Sequence, residues 1–222
     1  MVEIIRAKNL TKVYGKGYTE VRALDGMDLS VKRGEFLVVM GPSGSGKTTL
    51  LNMLGALDKP TSGEVFIDEV QISKVPERKL FKIRREKVGF IFQTYYLVPT
   101  LNALENVLVP TLPLGKDQFK EKAKELLEAV GLRKRAHHRP SQLSGGEQQR
   151  TAIARALILD PPIILADEPT GNLDSKTGQE IVNLMRRLDK ERGKTFVTVT
   201  HDPAITKVAD RTVKILDGKI IS

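Results

Sequence analysis

The chain contains no cysteine, no tryptophan and no long hydrophobic run. Without cysteine it can form neither a disulfide nor a thiolate metal site, which fits a reducing compartment. No stretch approaches the roughly 20 apolar residues that a membrane-spanning helix needs, and the start Met1-Val2-Glu3 is unlike a signal peptide. We therefore expect a soluble, cytoplasmic chain, and any membrane role must come through a partner.

The chain does have the length and apolar content for a sizeable core. Its 222 residues are 40% hydrophobic, which suits a single domain with a subdomain inserted in it. Two unrelated domains are not expected at this length.

Residues 41–48 read Gly-Pro-Ser-Gly-Ser-Gly-Lys-Thr, with the G-x-x-x-x-G-K-[ST] spacing of a phosphate-binding loop. The apolar run Phe36 to Met40 precedes it and a helical leucine pattern from Thr48 to Leu57 follows it, so the order is strand, turn, helix. A glycine-rich turn before an ordinary helix is the alternative, which this context disfavours. The residues expected to contact nucleotide here are Gly41, Pro42, Ser43, Gly44, Ser45, Gly46, Lys47, Thr48 and Thr49.

The chemistry of this loop suits a triphosphate. Glycine lets backbone N–H groups approach the anion closely, at a helix start whose unpaired donors and dipole favour negative charge. Lys47 would reach the β- and γ-phosphates, and Thr48 would ligate Mg²⁺.

Short strands are predicted on either side of the loop, at Ile4 to Leu10, Val21 to Val31 and Glu64 to Asp68. We expect them to form an antiparallel sheet at the edge of the core. Tyr14 lies between the first two, and its ring could stack on a base or pack on the sheet. Near the end of the chain, Asp217-Gly218 predicts a type I′ turn in a hairpin.

Further apolar runs predict buried strands that end at Gln93, at Asp167-Glu168 and at His201. Ligands of an open α/β sheet bind outside the carboxyl ends of its strands, so these residues should meet the phosphate loop at one edge. Asp167 would hold Mg²⁺, directly or through water, and Glu168 would orient and deprotonate the attacking water. His201 would hydrogen-bond the γ-phosphate and that water. A capping Glu168 and an ordinary turn histidine are the alternatives.

Residues 95–155 predict a mostly helical insertion in the α/β core. One helix should stop at Gly131, and the next starts at Ser144-Gly145-Gly146-Glu147, which has capping-box spacing, and runs to about Leu159. A helix start with a serine cap and no bulky side chains is also an anion site, so it offers a second place for phosphate. A plain capped helix is the alternative.

These motifs, in this order, make the chain resemble the ATP-binding subunits of ABC (ATP-binding cassette) transporters over nearly its whole length. The resemblance rests on residues 41–48, Gln93, Leu143 to Glu147, Ile163 to Glu168, Asn172 to Asp174 and His201. Leu143 to Glu147 correspond to the sequence that is called the signature in this family. It implies a P-loop NTPase (RecA-like) α/β core with a mostly parallel sheet. The core would take residues 1–94 and 156–222, with an antiparallel edge, and residues 95–155 would form the helical signature subdomain.

The resemblance also implies a mechanism that spacing cannot show. Two copies would pair head to tail around two ATP, so that Ser144-Gly145-Gly146-Glu147 of one copy would contact the nucleotide of the other. Tyr14 would stack on adenine, and Gln93 would join Thr48 and Asp167 at Mg²⁺. The partner would be an integral-membrane permease holding the chain at the inner face of the cell membrane.

Residues 55–65 and 165–174 look like the lipoprotein-release and macrolide-export group, with the cell-division ABC ATPase nearby. Thr94-Tyr95-Tyr96 departs from the usual Phe-Asn, which leaves the transported substrate open.

The formal charge of +9 is concentrated at residues 78–87 and 133–139. These runs could meet anionic lipid or nucleic acid, but two solvated faces are the better interpretation because no aromatic residues interleave as in a nucleic-acid platform. The alternative function is that of an ABC ATPase acting on nucleic acid in repair or chromosome maintenance. Such proteins carry long coiled-coil insertions, and this sequence has no sustained heptads. A small phosphotransferase would have no use for the signature. We expect no nucleic-acid partner.

Overall fold

A computed structural model describes residues 2–221. Its strands, in chain order, are β1 (Glu3–Tyr14), β2 (Val21–Lys32), β3 (Phe36–Met40), β4 (Ser62–Ile67), β5 (Val70–Gln71), β6 (Val88–Ile91), β7 (Ile163–Asp167), β8 (Thr195–Thr200), β9 (Arg211–Leu216) and β10 (Lys219–Ile220). Its α-helices are α1 (Lys47–Leu54), α2 (Glu77–Lys87), α3 (Ala103–Leu108), α4 (Lys120–Ala129), α5 (Gly145–Leu157), α6 (Ser175–Arg192) and α7 (Pro203–Thr206). Short 3₁₀ turns connect several of them.

The strands form two sheets. A four-stranded antiparallel sheet has the order β2-β1-β4-β5, which confirms the antiparallel sheet predicted for the N-terminal segments. A six-stranded sheet has the order β10-β9-β3-β8-β7-β6 and is parallel except for β10, which closes the predicted hairpin. Asp217 and Gly218 in that hairpin have φ of 47° and 73°, as a type I′ turn requires.

The parallel strands are apolar on both faces because each face covers a different core. In β3, Leu37 and Val39 belong to a core shared with the antiparallel sheet and α1. Phe36 and Val38 belong to a second core, formed with helices α3 to α6. Side chains alternate along a strand, so a continuous apolar run is the pattern that a sheet between two layers needs.

The helical segment of the insertion consists of α3, α4 and α5, which pack on one another. Helix α4 ends at Ala129, and Gly131 just beyond it has φ of 80°, as the predicted stop requires. Helix α5 also packs against β6 and α6, so this segment is continuous with the second core. The limits 95–155 for the subdomain stay a prediction.

Two predicted helix ends were too late. Helix α1 stops at Leu54 rather than Leu57 because Gly55 is its C-cap and Ala56 turns out of the helix with φ of 55°. Leu57 is therefore exposed rather than in the core. Helix α5 stops at Leu157 rather than Leu159. Within residues 2–221, no helix is long and apolar enough to span a membrane.

Candidate functional site

The phosphate-binding loop connects β3 to α1 through glycines that the backbone requires. Gly44 and Gly46 have φ of 80° and 100°, and Gly46 is the N-cap of α1. A Cβ at Gly41 would lie 2.3 Å from the carbonyl oxygen of Ile215, and one at Gly46 would lie 2.3 Å from that of Ala23. The glycines therefore allow both the left-handed turns and the close packing of the loop on the strands beneath it.

Polar groups line the inside of this loop. Lys47 is buried, and its Nζ donates to the carbonyl oxygens of Gly41 and Pro42, 2.9 Å from each. The Ser45 hydroxyl is buried and has no hydrogen-bond partner within residues 2–221. A buried hydroxyl is costly without a partner, so the loop offers an unmet polar group beside a cation at a helix N-terminus. These features fit a bound phosphate group.

Two of the predicted metal ligands lie between the first turn of α1 and the end of β7. Thr48 Oγ1 donates to Asp167 Oδ1 at 3.2 Å, so the structure brings together these two predicted ligands. Burial raises the pKa of Asp167, the hydrogen bond from Thr48 opposes that shift, and the charge of Glu168 adds to it. A hydroxyl and one carboxylate suit Mg²⁺, which takes its remaining ligands from phosphates and water.

Glu168, just after β7, is held by residues at the end of β8. Its Oε2 accepts from Thr200 Oγ1 at 3.0 Å and from the backbone N–H of His201 at 3.3 Å. Its Oε1 lies 3.0 Å from His201 Nδ1. An ionised carboxylate can only accept, so Nδ1 carries the proton in this contact. Glu168 also has φ of 44°, a left-handed conformation of the kind found at functional sites.

Tyr14 ends β1 on the same side of the molecule as α1. Its hydroxyl donates to Asp58 Oδ2 at 3.0 Å, and the Lys12 ammonium lies 4.8 Å from the ring centroid. Burial and the Asp58 carboxylate raise the pKa of Tyr14, and a hydrogen bond with Thr49 opposes the rise. The ring is 41% exposed, so it is not packed into the sheet. Its stacking on adenine stays a prediction.

Gln93 follows β6 but lies beside the segment after β7. Its Nε2 is 3.4 Å from Asn172 Oδ1, and Asn172 Nδ2 donates to the Gln93 carbonyl at 2.9 Å. Within residues 2–221 no hydrogen bond joins Gln93 to Thr48 or Asp167. Its role as a metal ligand therefore stays a prediction.

The predicted signature opens α5 with both hydrogen bonds of a capping box. Glu147 N donates to Ser144 Oγ at 3.3 Å, and Ser144 N donates to Glu147 Oε2 at 2.8 Å. The two glycines have a packing role in addition to any ligand: a Cβ at Gly146 would lie 2.4 Å from the Thr177 methyl, and one at Gly145 would lie 3.1 Å from the Tyr95 hydroxyl. No hydrogen bond in the described chain joins residues 144–147 to residues 41–49.

Arg155 on α5 anchors the segment after Gln93. Its guanidinium, which is largely buried, donates to the carbonyl oxygens of Tyr95 and Tyr96 at 2.5 Å each. Both tyrosines have left-handed φ, 56° and 45°. Burial lowers the pKa of Arg155, but a guanidinium stays charged at neutral pH.

Beside this anchor lies an apolar groove of about 660 Å³. Its walls include aromatic and aliphatic side chains from α2, β6 and the segments around them. Representative members are Leu57, Phe81, Phe90, Phe92 and Tyr96. Phe81 and Tyr96 are 55% and 67% exposed, so large apolar surface faces solvent here.

Sequence reasoning missed Thr200 and Arg155. Thr200 lies in a pattern that predicts a buried strand, and the sequence does not distinguish its hydroxyl from those of the other threonines in that strand. Arg155 had a signal, because it is a cation between alanines in a helix whose other face is apolar. A charged side chain there needs partners, and the carbonyls of Tyr95 and Tyr96 supply them.

Comparisons with known proteins show the family to which this sequence is similar. A family model described as ABC transporter matches residues 24–171. An uncharacterized ABC transporter ATP-binding protein of Thermotoga maritima is 51% identical over 222 residues, covering 99% of this chain and 94% of that protein. The lipoprotein-releasing system ATP-binding protein LolD of Geobacter metallireducens is 44% identical over 224 residues, covering 100% of both. The macrolide export ATP-binding/permease protein MacB of Hyphomonas neptunium is 48% identical over 221 residues, covering 99% of this chain and 34% of that longer protein.

A solved structure extends the likeness to the whole fold. The dimeric post-hydrolysis state of the ATP-binding cassette MJ0796, from Methanocaldococcus jannaschii, is bound to ADP and Pi. It has a TM-score of 0.90 and 47% identity to this chain, and the match covers 98% of this chain and 97% of that one.

Proposed function

Because the chain belongs to the ABC transporter family of ATP-binding proteins, we propose that it hydrolyses ATP and that ATP-driven pairing of two copies powers a separate membrane permease. The single observation that carries this proposal is the convergence at one sheet edge. The phosphate loop after β3, the carboxylates at the end of β7 and the histidine after β8 meet there through the Thr48–Asp167 and Glu168–His201 contacts.

In the proposed site, residues 41–49 hold the phosphates through backbone N–H groups, Lys47 supplies the cation, and Tyr14 stacks on adenine. Thr48, Asp167 and Gln93 would hold Mg²⁺, which would supply positive charge to neutralise the phosphates. The unpartnered Ser45 hydroxyl and the buried Lys47 ammonium support this assignment.

Glu168 is the proposed general base. Its carboxylate orients a water for attack on the γ-phosphate and takes that water's proton. Thr200 and the His201 backbone hold Oε2, which fixes the direction of the carboxylate. With protons on both ring nitrogens, His201 would donate from Nδ1 to Glu168 and from Nε2 to the γ-phosphate, and its side chain is 65% exposed.

The signature is proposed to serve the nucleotide of a second copy. Ser144 and Glu147 bond each other rather than the chain's own phosphate loop, which leaves the N-terminus of α5 available to an outside anion. The dimeric ADP-bound and Pi-bound relative supports this arrangement.

The groove beside Arg155 is the proposed contact with the permease. An apolar groove with exposed aromatic side chains suits an amphipathic helix of a partner protein. The likeness to LolD and MacB supports a lipoprotein-release or macrolide-export type of transporter, with the chain held at the inner face of the membrane by that partner. A nucleic-acid role is not favoured, because these relatives are transport proteins by name.

Glu168→Gln tests hydrolysis and pairing together. It keeps the size of the side chain and removes the base, so turnover should fall about 10²–10⁴-fold while ATP binding survives. The variant should then accumulate as an ATP-bound dimer in size-exclusion chromatography. Glu121→Gln makes the same change on an exposed helix face and is the control. Near-normal turnover would remove Glu168 as base, and an inactive variant that stays monomeric in ATP would contradict the pairing.

The permease contact needs its own test. Phe81→Ser should reduce co-purification of the membrane partner from native membranes without changing the ATPase rate of the isolated chain. Tyr18→Ser removes an exposed aromatic side chain outside the groove and should have no effect. Equal recovery of the partner with both variants would reject the groove as the contact.

A further inference from the structure

A carboxylate lies at the helix start that the proposed function assigns to a second copy's phosphates. Glu147 is in the first turn of α5, and both of its oxygens are engaged. Oε2 accepts from Ser144 N at 2.8 Å, and Oε1 accepts from Arg135 Nε at 3.0 Å. The backbone hydrogen bond from Ser144, followed by the contact with Arg135, lowers the pKa of Glu147, so its charge is full at neutral pH.

A full negative charge at this position disfavours the binding of a phosphate at the start of α5. The positive end of a helix attracts phosphate through partial charges equivalent to roughly half an elementary charge. One ionised carboxylate in the first turn cancels that attraction when a phosphate approaches from outside. A phosphate-binding role for the start of α5 therefore requires a cation that compensates Glu147.

Arg135 is placed to be that cation. It belongs to the 3₁₀ turn Arg133–Arg135, and its Nη1 lies 3.1 Å from His138 Nε2. A guanidinium can only donate, so Nε2 of His138 accepts and the guanidinium is fixed between the histidine and Glu147. The neighbouring Arg133 differs, because it pairs with Glu128 and is 79% exposed. Residues 133–135 are all exposed, and Arg135, at 48%, differs from Arg133 by its contact with the start of α5.

We propose that Arg135 is a positioning residue for ATP-driven pairing, which acts by neutralising Glu147 so that the start of α5 attracts the phosphates of nucleotide bound to a second copy of the chain. The inference rests on the proposed function, because it assumes that Ser144 and Gly146 meet the partner's nucleotide.

The test compares dimerisation of full-length variants in a Glu168→Gln background, where hydrolysis does not reverse pairing. Arg135→Ala should raise the dimer dissociation constant in ATP by about tenfold, the change expected from one uncompensated charge at a partly exposed site. Nucleotide affinity of the monomer should stay within about twofold, since the nucleotide-binding loop is elsewhere in the chain. Arg133→Ala removes the same charge from the same turn and should change dimerisation by less than about twofold. Arg135→Lys should retain most of the pairing.

The decisive variant is Arg135→Ala combined with Glu147→Gln. Glutamine keeps the capping box and removes the charge that needs compensation, so this double variant should pair as well as Glu147→Gln alone. A purely structural role of Arg135 would leave the double variant as weak as Arg135→Ala, and that result overturns the inference. Equal losses for Arg133→Ala and Arg135→Ala would overturn it too. If the Glu168→Gln reference does not pair in ATP, the proposed pairing mechanism fails and the inference fails with it.

Discussion

Two threonines of β8, Thr198 and Thr200, allow a matched test of how Glu168 is held. Both are fully buried, and they lie on one face of the strand because side chains alternate. Thr200 Oγ1 donates to Glu168 Oε2 at 3.0 Å and accepts from Asp202 N at 2.9 Å. The Thr198 hydroxyl has no hydrogen-bond partner in the described chain. Replacement by valine exchanges a hydroxyl for a methyl at each position, so neither variant leaves a large cavity.

The two substitutions should change the unfolding free energy in opposite directions. Thr200→Val removes a hydrogen bond to a charged acceptor, worth about 1.5–3 kcal/mol, and we expect a loss of about 2 kcal/mol in unfolding free energy. In a chain of this size that lowers Tm by about 4–8 °C. Thr198→Val removes a buried hydroxyl with no partner, which costs about 1–3 kcal/mol, so it should stabilise the fold by about 1 kcal/mol.

The same two variants distinguish an effect on the orientation of Glu168 from an effect on packing. With Thr200→Val the carboxylate keeps only its contacts with His201, so we expect turnover to fall about tenfold, equivalent to about 1.4 kcal/mol of barrier. Thr198→Val should turn over normally. Denaturant unfolding gives the stabilities, and steady-state phosphate release gives the rates. Similar stability changes in the two variants, or normal turnover in Thr200→Val, would refute the assignment of Thr200 as the residue that orients Glu168.

Three further predictions concern the nucleotide site. Lys47→Ala should abolish ATP binding or turnover and leave the fold intact, because it removes the side-chain cation of the loop; unchanged affinity and turnover would contradict the loop assignment. Ser144→Ala should lower ATPase activity and ATP-dependent pairing with little loss of monomer affinity, and a sharp fall in that affinity would place the signature in its own chain's site. Asp167 has a raised pKa, so Mg²⁺ affinity should weaken as pH falls through it. Without Mg²⁺, the unfolding free energy should decrease as pH rises from the ordinary value of 3.8 through the raised folded pKa, and Asp167→Asn should remove that slope.

The layered core could be predicted because its physical cause is visible along the chain. Apolar runs such as Phe36 to Met40 indicate strands covered on both faces, and the two-residue turn at Asp217-Gly218 indicates a hairpin. The edge where Thr48 meets Asp167 followed from the direction of parallel strands. These properties depend on local pattern and on sheet topology.

Properties set by close approach between distant segments could not be predicted. The leucine pattern continues past the true end of α1, and the contact that excludes any side chain larger than glycine at position 55, the Phe90 ring, comes from a distant strand. From the sequence alone, the glycines of the signature indicate space for an anion. In the structure, the nearby Thr177 side chain also favours a small residue at position 146. The Arg135–Glu147 pair spans two elements and has no motif of its own.

The way Arg155 binds residues 95 and 96 affects how this ATP-binding protein can evolve. It holds main-chain oxygens, so the path of the segment does not depend on which side chains those two residues carry. The left-handed backbone limits the choice to residues that tolerate it, among which asparagine, aspartate and histidine are enriched. An exchange at position 96 can therefore reshape the edge of the groove while the backbone of the segment keeps its path. In the proposed transporter, the same ATP-binding chain would in this way be matched to different membrane partners by changing one side chain.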